Sequence, residues 1–310
     1  MRRVILVMLT VISLVSCTQA KKEEKKEQKK NILYEANLKG KVKFFRETYY
    51  NAVEKFGEIQ KGEIGSEGIK SFIYNERGNM VEANMYNSDG SLKKKLTCKY
   101  DANGNMVEVN LYKSGSLKDK ITCKYDANGN MVESNGYNSD GSLQGKETYK
   151  YDDKGNQIEE NRYNSDGSLK NKITYKYDDK GNQIEENRYN SDGSLQGKET
   201  YKYDDKGNKI EENHYESDGS SLENKFTYKY DDKGNQIEEN VYNSDGTLLQ
   251  KTTYKYDANG NKIEKNTYNT FLNSFSSKYE FDTKDNWVKQ VEYINEKPKI
   301  IIEREIEYYE

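Results

Sequence analysis

YKYDDKGNQIEENRYNSDGSL runs from Tyr149 to Leu169, and close copies begin at Tyr175, Tyr201 and Tyr228. In the copy that starts at Tyr175, the run before the turn is Ile173 to Tyr177. Asp179-Lys180-Gly181 is a turn, Gln183 to Tyr189 a second run and Ser191-Asp192-Gly193 a second turn. Tyr and Ile favour strands, and a three-residue loop ending in Gly fits a type I turn followed by a left-handed residue. Each copy is therefore expected to be a β-hairpin joined to the next by another hairpin. The whole is an antiparallel meander.

The period is strict. The tyrosine before the Gly-Asn turn falls at Tyr74, Tyr100, Tyr125, Tyr151, Tyr177, Tyr203, Tyr230 and Tyr256, with Phe281 in a degenerate ninth copy, at intervals of 26, 25, 26, 26, 26, 27, 26 and 25 residues. The slips have visible causes: KSGSL at Lys113 is one residue short, and Gly219 is followed by an extra Ser. Such changes fall where a hairpin loop absorbs them. A period of this kind marks a repeat architecture whose units stack on their neighbours. Two strands per copy give about twenty in all, and an open sheet beyond about ten curls or splits. The expected fold is all-β, a repetitive antiparallel meander forming an elongated or coiled single sheet.

The turn type predicts the faces. It pairs Asp178 with Asn182, Tyr177 with Gln183 and Tyr175 with Glu185; at the second loop it pairs Tyr189 with Leu195 and Glu186 with Lys198. Because side chains alternate along a strand, Ile173, Tyr175, Tyr177, Tyr189 and Leu195 should share one face. Thr174, Lys176, Ile184, Glu186 and Arg188 should share the other. Ile184 is the exception on that charged side, and with its equivalents, such as Ile158 and Ile210, it should form a stripe under lysine stems.

Bulk composition narrows the function classes. Hydrophobic and charged residues each make up 33%, there is one proline, Pro298, and mean hydropathy is -1.17. So polar a chain would ordinarily be disordered, but 28 tyrosines and 23 glycines at fixed intervals argue for order. The 50 basic and 53 acidic residues are interspersed, so no basic face follows a phosphate backbone and nucleic acid is excluded as a partner. With one histidine and three cysteines, metal-binding and nucleophile-base constellations are not expected, nor are a cofactor or enzymatic activity. Cys98 and Cys123 replace tyrosines in adjacent copies two strands apart, too far for a disulfide, and are read as buried free thiols. His214 stands where Arg162 and Arg188 stand in other copies and reads as a surface substitution. Asp101-Ala102-Asn103-Gly104-Asn105 places its Gly too early for a calcium loop and reads as turn chemistry.

The N-terminus carries an address. MRRVILVMLTVISLVSC has two arginines, an apolar run too short to span a bilayer and then small residues. Leu14-Val15-Ser16-Cys17 resembles the lipobox of bacterial lipoproteins, which implies cleavage before Cys17, lipid attachment at Cys17, and a membrane-anchored lipoprotein of the cell envelope, periplasmic or surface-exposed. Residues 1–16 are then the signal peptide and 17–32 a charged tether. Residues 33–73 read as N-terminal capping hairpins, 74–280 as the repeats, and 281–310 as a degenerate last copy and cap with Trp287 plugging the end.

The unit Tyr-Asp-x-x-Gly-Asn, followed some twelve residues later by Tyr-x-x-Asp-Gly, resembles the YD repeat of Rhs proteins, found also in insecticidal toxin complexes and teneurins. The resemblance covers Tyr74 to Tyr293 and implies a spiralling antiparallel strip. In that family long arrays enclose a toxic domain, and some members are credited with carbohydrate binding. The repeats here are too few for a large shell, so the enclosing function is not carried over. The tyrosine rows, Tyr149, Tyr151, Tyr163, Tyr175, Tyr177, Tyr189, Tyr201 and Tyr203, are the candidate binding face for a glycan or protein partner, since Tyr offers apolar area with a polar tip. The competing expectation is that the same rings form the core of an envelope spacer.

Overall fold

The computed structural model describes residues 38–269 and 274–310. Cys17, the signal peptide and the tether lie outside the described residues. Among the described residues twenty strands follow in chain order. The first ten are β1 (Val42–Lys55), β2 (Glu58–Tyr74), β3 (Met80–Tyr86), β4 (Leu92–Tyr100), β5 (Met106–Lys113), β6 (Ser116–Tyr125), β7 (Met131–Asn138), β8 (Leu143–Tyr151), β9 (Gln157–Asn164) and β10 (Leu169–Tyr177). The rest are β11 (Gln183–Asn190), β12 (Leu195–Tyr203), β13 (Lys209–Tyr215), β14 (Leu222–Tyr230), β15 (Gln236–Asn243), β16 (Leu248–Tyr256), β17 (Lys262–Asn269), β18 (Phe275–Phe281), β19 (Trp287–Ile294) and β20 (Lys297–Tyr308).

Each strand pairs antiparallel with the next, and β20 pairs antiparallel with β1 through Phe45↔Ile306, Glu47↔Arg304 and Tyr49↔Ile302. The meander is therefore a closed 20-stranded barrel, not the open or coiled sheet expected from the repeats. Closure removes the two edges an open sheet would expose, and an even strand count lets the last antiparallel pair form. The flanks read as caps are the two sides of this seam. Arg304 donates from Nε and Nη2 to Glu47 Oε1 at 2.9 and 2.8 Å, and its guanidinium lies 3.4 Å from the centre of the Trp287 ring and 5.3 Å from that of Phe45. Trp287 thus supports the seam rather than plugging an end.

Both turn types form as their sequences require. Asp178 N–H donates to the Asn182 carbonyl at 2.9 Å, Gly181 N–H donates back to the Asp178 carbonyl at 3.0 Å, and Gly181 sits at φ 84°. Asp178 Oδ1 accepts from the N–H of Lys180 and Asn182, and Oδ2 accepts from Asn182 Nδ2. Both carboxylate oxygens are thus engaged within their own turn. At the second turn, Asn190 N–H donates to the Ser194 carbonyl and Ser194 donates from N–H and Oγ to Asp192.

The predicted pairs next to the turns, Tyr177↔Gln183 and Tyr189↔Leu195, are present. Beyond them the register differs, because a β-bulge leaves Ile184 without a partner and a second leaves Gln196 without one. Tyr175 therefore faces Glu186 instead of Glu185, Glu186 faces Glu199, and Lys198 faces Asn187. A one-residue slip moves side chains to the other face. Glu186 and Arg188 join the Tyr175 face, while Tyr189 and Leu195 move to the face of Lys176 and Glu185. The tyrosines are thus divided between two faces. Ile158, Ile184, Ile210, Ile237 and Ile263, the equivalent isoleucines, are 36–38% exposed.

The face carrying Phe45, Tyr74, Cys98 and Tyr149 is buried. On the other face one lysine of a copy keeps about two thirds of its surface, 68% for Lys99 and 66% for Lys176, and a second keeps about a third, 37% for Lys172. A cylinder crowds side chains on its concave face and splays them on its convex face, so the first is the inner wall and the second the outer.

Candidate functional site

The inner wall repeats one fastening. The second tyrosine of each Tyr-Lys-Tyr or Cys-Lys-Tyr triplet reaches back one copy and donates its hydroxyl to a main-chain carbonyl. Tyr151 bonds Met131 at 2.8 Å, Tyr177 bonds Gln157 at 2.7 Å and Tyr203 bonds Gln183 at 2.7 Å. The first tyrosines donate to carboxylates: Tyr149 to Glu147 at 2.7 Å, Tyr175 to Glu160 at 3.3 Å and Tyr201 to Glu199 at 2.6 Å. Four of the eight candidate tyrosines, Tyr151, Tyr175, Tyr177 and Tyr203, therefore tie one copy to the one before, while Tyr149 and Tyr201 bond within their own strands. Cys98 and Cys123 lie on the same wall as buried free thiols, and burial pushes them up to about 12 and about 11.

From β8 to β13 this wall is a chain of ion pairs. Arg162 bridges Glu160 at 2.6 Å and Glu147 at 3.3 Å, and Arg188 bridges Glu186 at 2.6 Å and Glu199 at 2.7 Å. His214 occupies the next place in the series, 2.6 Å from Glu212 and 3.8 Å from Glu199. It is a half-buried member of the inner wall, not the surface substitution read from the sequence. Desolvation raises the Glu147 and Glu186 carboxyls above the usual range.

The outer wall has a different pattern. From Glu108 to Glu238 the mid-strand glutamate of each copy is held between two lysines: Glu133 by Lys124 at 2.7 Å and Lys146 at 2.6 Å, and Glu211 by Lys202 and Lys225 at 2.7 Å each. The lysine hydrogen bonds to Glu133 lower its carboxyl to about 2. Toward the Asp-Gly turns this ladder gives way to a belt, where Tyr163 faces Leu169, Tyr189 faces Leu195, Tyr215 faces Leu222 and Tyr242 faces Leu248. On its other side each ring faces a lysine, as in Lys172↔Tyr189 and Lys225↔Tyr242.

Between neighbouring copies the belt opens into a groove of about 480 Å³ lined by Leu222, Lys225, Thr227, Tyr242, Asn243, Ser244, Asp245 and Gly246. Tyr163 and Tyr189 are the two candidate tyrosines that belong to this belt. Sequence reasoning placed them with the inner rows. The available signal was Ile184, an isolated β-branched residue on a charged face, which a bulge explains.

Leu38 is buried at the opposite rim. Lys39 N–H donates to Asn286 Oδ1 at 2.6 Å and Lys39 Nζ to Asn261 Oδ1 at 2.7 Å, and both asparagines close Gly-Asn-type turns. The described chain thus enters at the rim away from the belt.

A family described only as an uncharacterised protein matches residues 221–308. No curated protein matches the chain. Among solved structures, a TcdB2–TccC3 toxin fusion without its hypervariable C-terminal region is 11% identical over 81% of this chain and 16% of that one, with a TM-score of 0.33. A Tc holotoxin pore of Photorhabdus luminescens is 14% identical over 74% of this chain and 15% of that one, with a TM-score of 0.32. A porin-like protein from Bacteroides uniformis is 10% identical over 86% of this chain and 96% of that one, with a TM-score of 0.35. The chain therefore spans about one sixth of the toxin chains it matches. At these scores the architecture rests on its own strand pairing.

Proposed function

We propose that this protein is a lipid-anchored barrel of the bacterial cell envelope that recognises a glycan through its outer tyrosine belt. The groove between Tyr242 and the Leu222–Lys225 edge carries the reading. It combines an aromatic ring, an apolar floor, a lysine and a polar turn, and the same residue types recur around the wall, as with Tyr189 opposite Lys172 on β10, the strand that begins at Leu169. Ring faces stack on sugars while lysine and turn oxygens take their hydroxyls, and repeated weak contacts add by effective concentration. The fold adds a polarity to this reading. Leu38 lies at one rim and the belt toward the other, so an anchor at Cys17 leaves the grooves facing away from the membrane. The wall itself is unsuited to lipid, since charges at a bilayer midplane cost about 2–4 kcal/mol each for Lys.

The test is a glycan and cell-surface protein array probed with the full-length protein. A saturable glycan hit should weaken in steps as Tyr189, Tyr215 and Tyr242 are changed to Ala, while Tyr177→Phe on the inner wall leaves it unchanged. A hit confined to protein spots would replace the glycan by a protein partner. No hit with the β-sheet spectrum intact would favour an envelope spacer.

A further inference from the structure

We propose that Glu199, Glu212 and His214 form a binding site for a first-row divalent metal ion, Zn²⁺ in the first instance, on the inner wall between β12 and β13. Their donor atoms, one carboxylate oxygen from each glutamate and an imidazole nitrogen, lie within 4.8 Å of one another. That is the span a single ion with bonds of about 2.0–2.2 Å to nitrogen and oxygen would draw together.

The site departs from its neighbours in one respect. In the two preceding copies the same position is Arg162 or Arg188, whose guanidinium bridges two glutamates by itself. At position 214 the fold keeps both carboxylates but supplies the chain's single histidine. A guanidinium only donates, whereas a neutral imidazole offers a lone pair that a metal can take.

The surrounding groups orient both carboxylates so that one oxygen of each lies toward His214 Nε2. Arg188 holds Glu199 Oε1 at 2.7 Å, and Oε2 accepts from the Tyr201 hydroxyl at 2.6 Å and lies 3.8 Å from His214 Nε2. Lys209 at 2.5 Å and Tyr228 at 3.1 Å hold Glu212 Oε2, leaving Oε1 2.6 Å from the same nitrogen. The His214 ring rests on Phe226, with centroids 4.9 Å apart. Such outer partners fix ligand orientation in metal sites and change affinity by about 10–100-fold when removed. Two carboxylates and one imidazole suit zinc and leave a fourth position open.

The experiment titrates the metal-stripped full-length protein with Zn²⁺ and, separately, with Co²⁺ as a spectroscopic probe. One ion per chain and a visible Co²⁺ spectrum are expected. His214→Arg installs the residue of the neighbouring copies, so it should keep the fold and lower affinity by at least about 100-fold. Glu212→Gln should lower it without altering the β-sheet spectrum. Unchanged Zn²⁺ uptake in folded His214→Arg, or no uptake by the folded parent protein, would overturn the proposal.

Discussion

The inner wall is written in two alphabets on one backbone. From β3 to β6 it carries Ala83, Leu96, Cys98, Val109, Leu111, Ile121 and Cys123, which pack as an apolar core. From β8 onward equivalent places carry Glu147 for Ile121, Glu160 for Val109, Arg162 for Leu111 and Tyr149 for Cys123. Strand lengths, both turns, the bulges, the tyrosine-to-carbonyl bonds and the outer lysine ladder continue across the change. What defines the barrel is therefore the set of features common to both halves. The inner filling can be hydrocarbon or paired charge, provided the charges are fully partnered.

The seam, where a buried ion pair lies among aromatic rings, should show the largest effect. Arg304→Leu leaves Glu47 buried without its partner and should cost about 3–5 kcal/mol in denaturant unfolding. A change below about 1 kcal/mol would mean that closure does not depend on this pair.

Within the charged half, Arg162→Leu alone should cost a comparable amount, whereas the triple change Glu147→Ile, Glu160→Val, Arg162→Leu should be neutral or stabilise by about 1–4 kcal/mol. If the triple variant is as unstable as the single one, the two alphabets are not interchangeable and the charge network itself specifies the fold.

The smallest effect belongs to the outer ladder, where Glu133→Gln should cost about 0.2–1 kcal/mol. Its pH signature is more distinctive than its size. The Glu133 carboxyl is lowered to about 2 by Lys124 and Lys146, so its contribution is full above the unfolded value of about 4.3 and is lost as pH falls toward 2. Glu147 is raised by burial, so its contribution has the opposite sign, full at low pH and lost as pH rises through its elevated value. Carboxyl carbon shifts followed by NMR should separate the two; coincident titration near 4.3 would remove the distinction between the walls.

Much of the fold was legible because the turns are local. Asp178, Gly181 and Asn182 satisfy one another within five residues, so their pattern specifies a hairpin wherever it occurs. The strand count, the first pairs beside each turn and the free thiols at Cys98 and Cys123 follow from the same spacing. The faces were misread beyond Ile184 because two bulges, at Ile184 and Gln196, cancel over one copy. Tyr175 and Tyr201 stay inside, while Tyr189 between them goes outside.

The sequence by itself determined the hairpin unit, its period and its turn chemistry, all of which depend on contacts a few residues apart. Tertiary structure decided the rest. Closure joins Glu47 to Arg304 across 257 residues, and the bulges shift the register within each hairpin. Which tyrosines fasten copies and which face the solvent is set by those two features, because a face is a property of the paired sheet and not of any one strand.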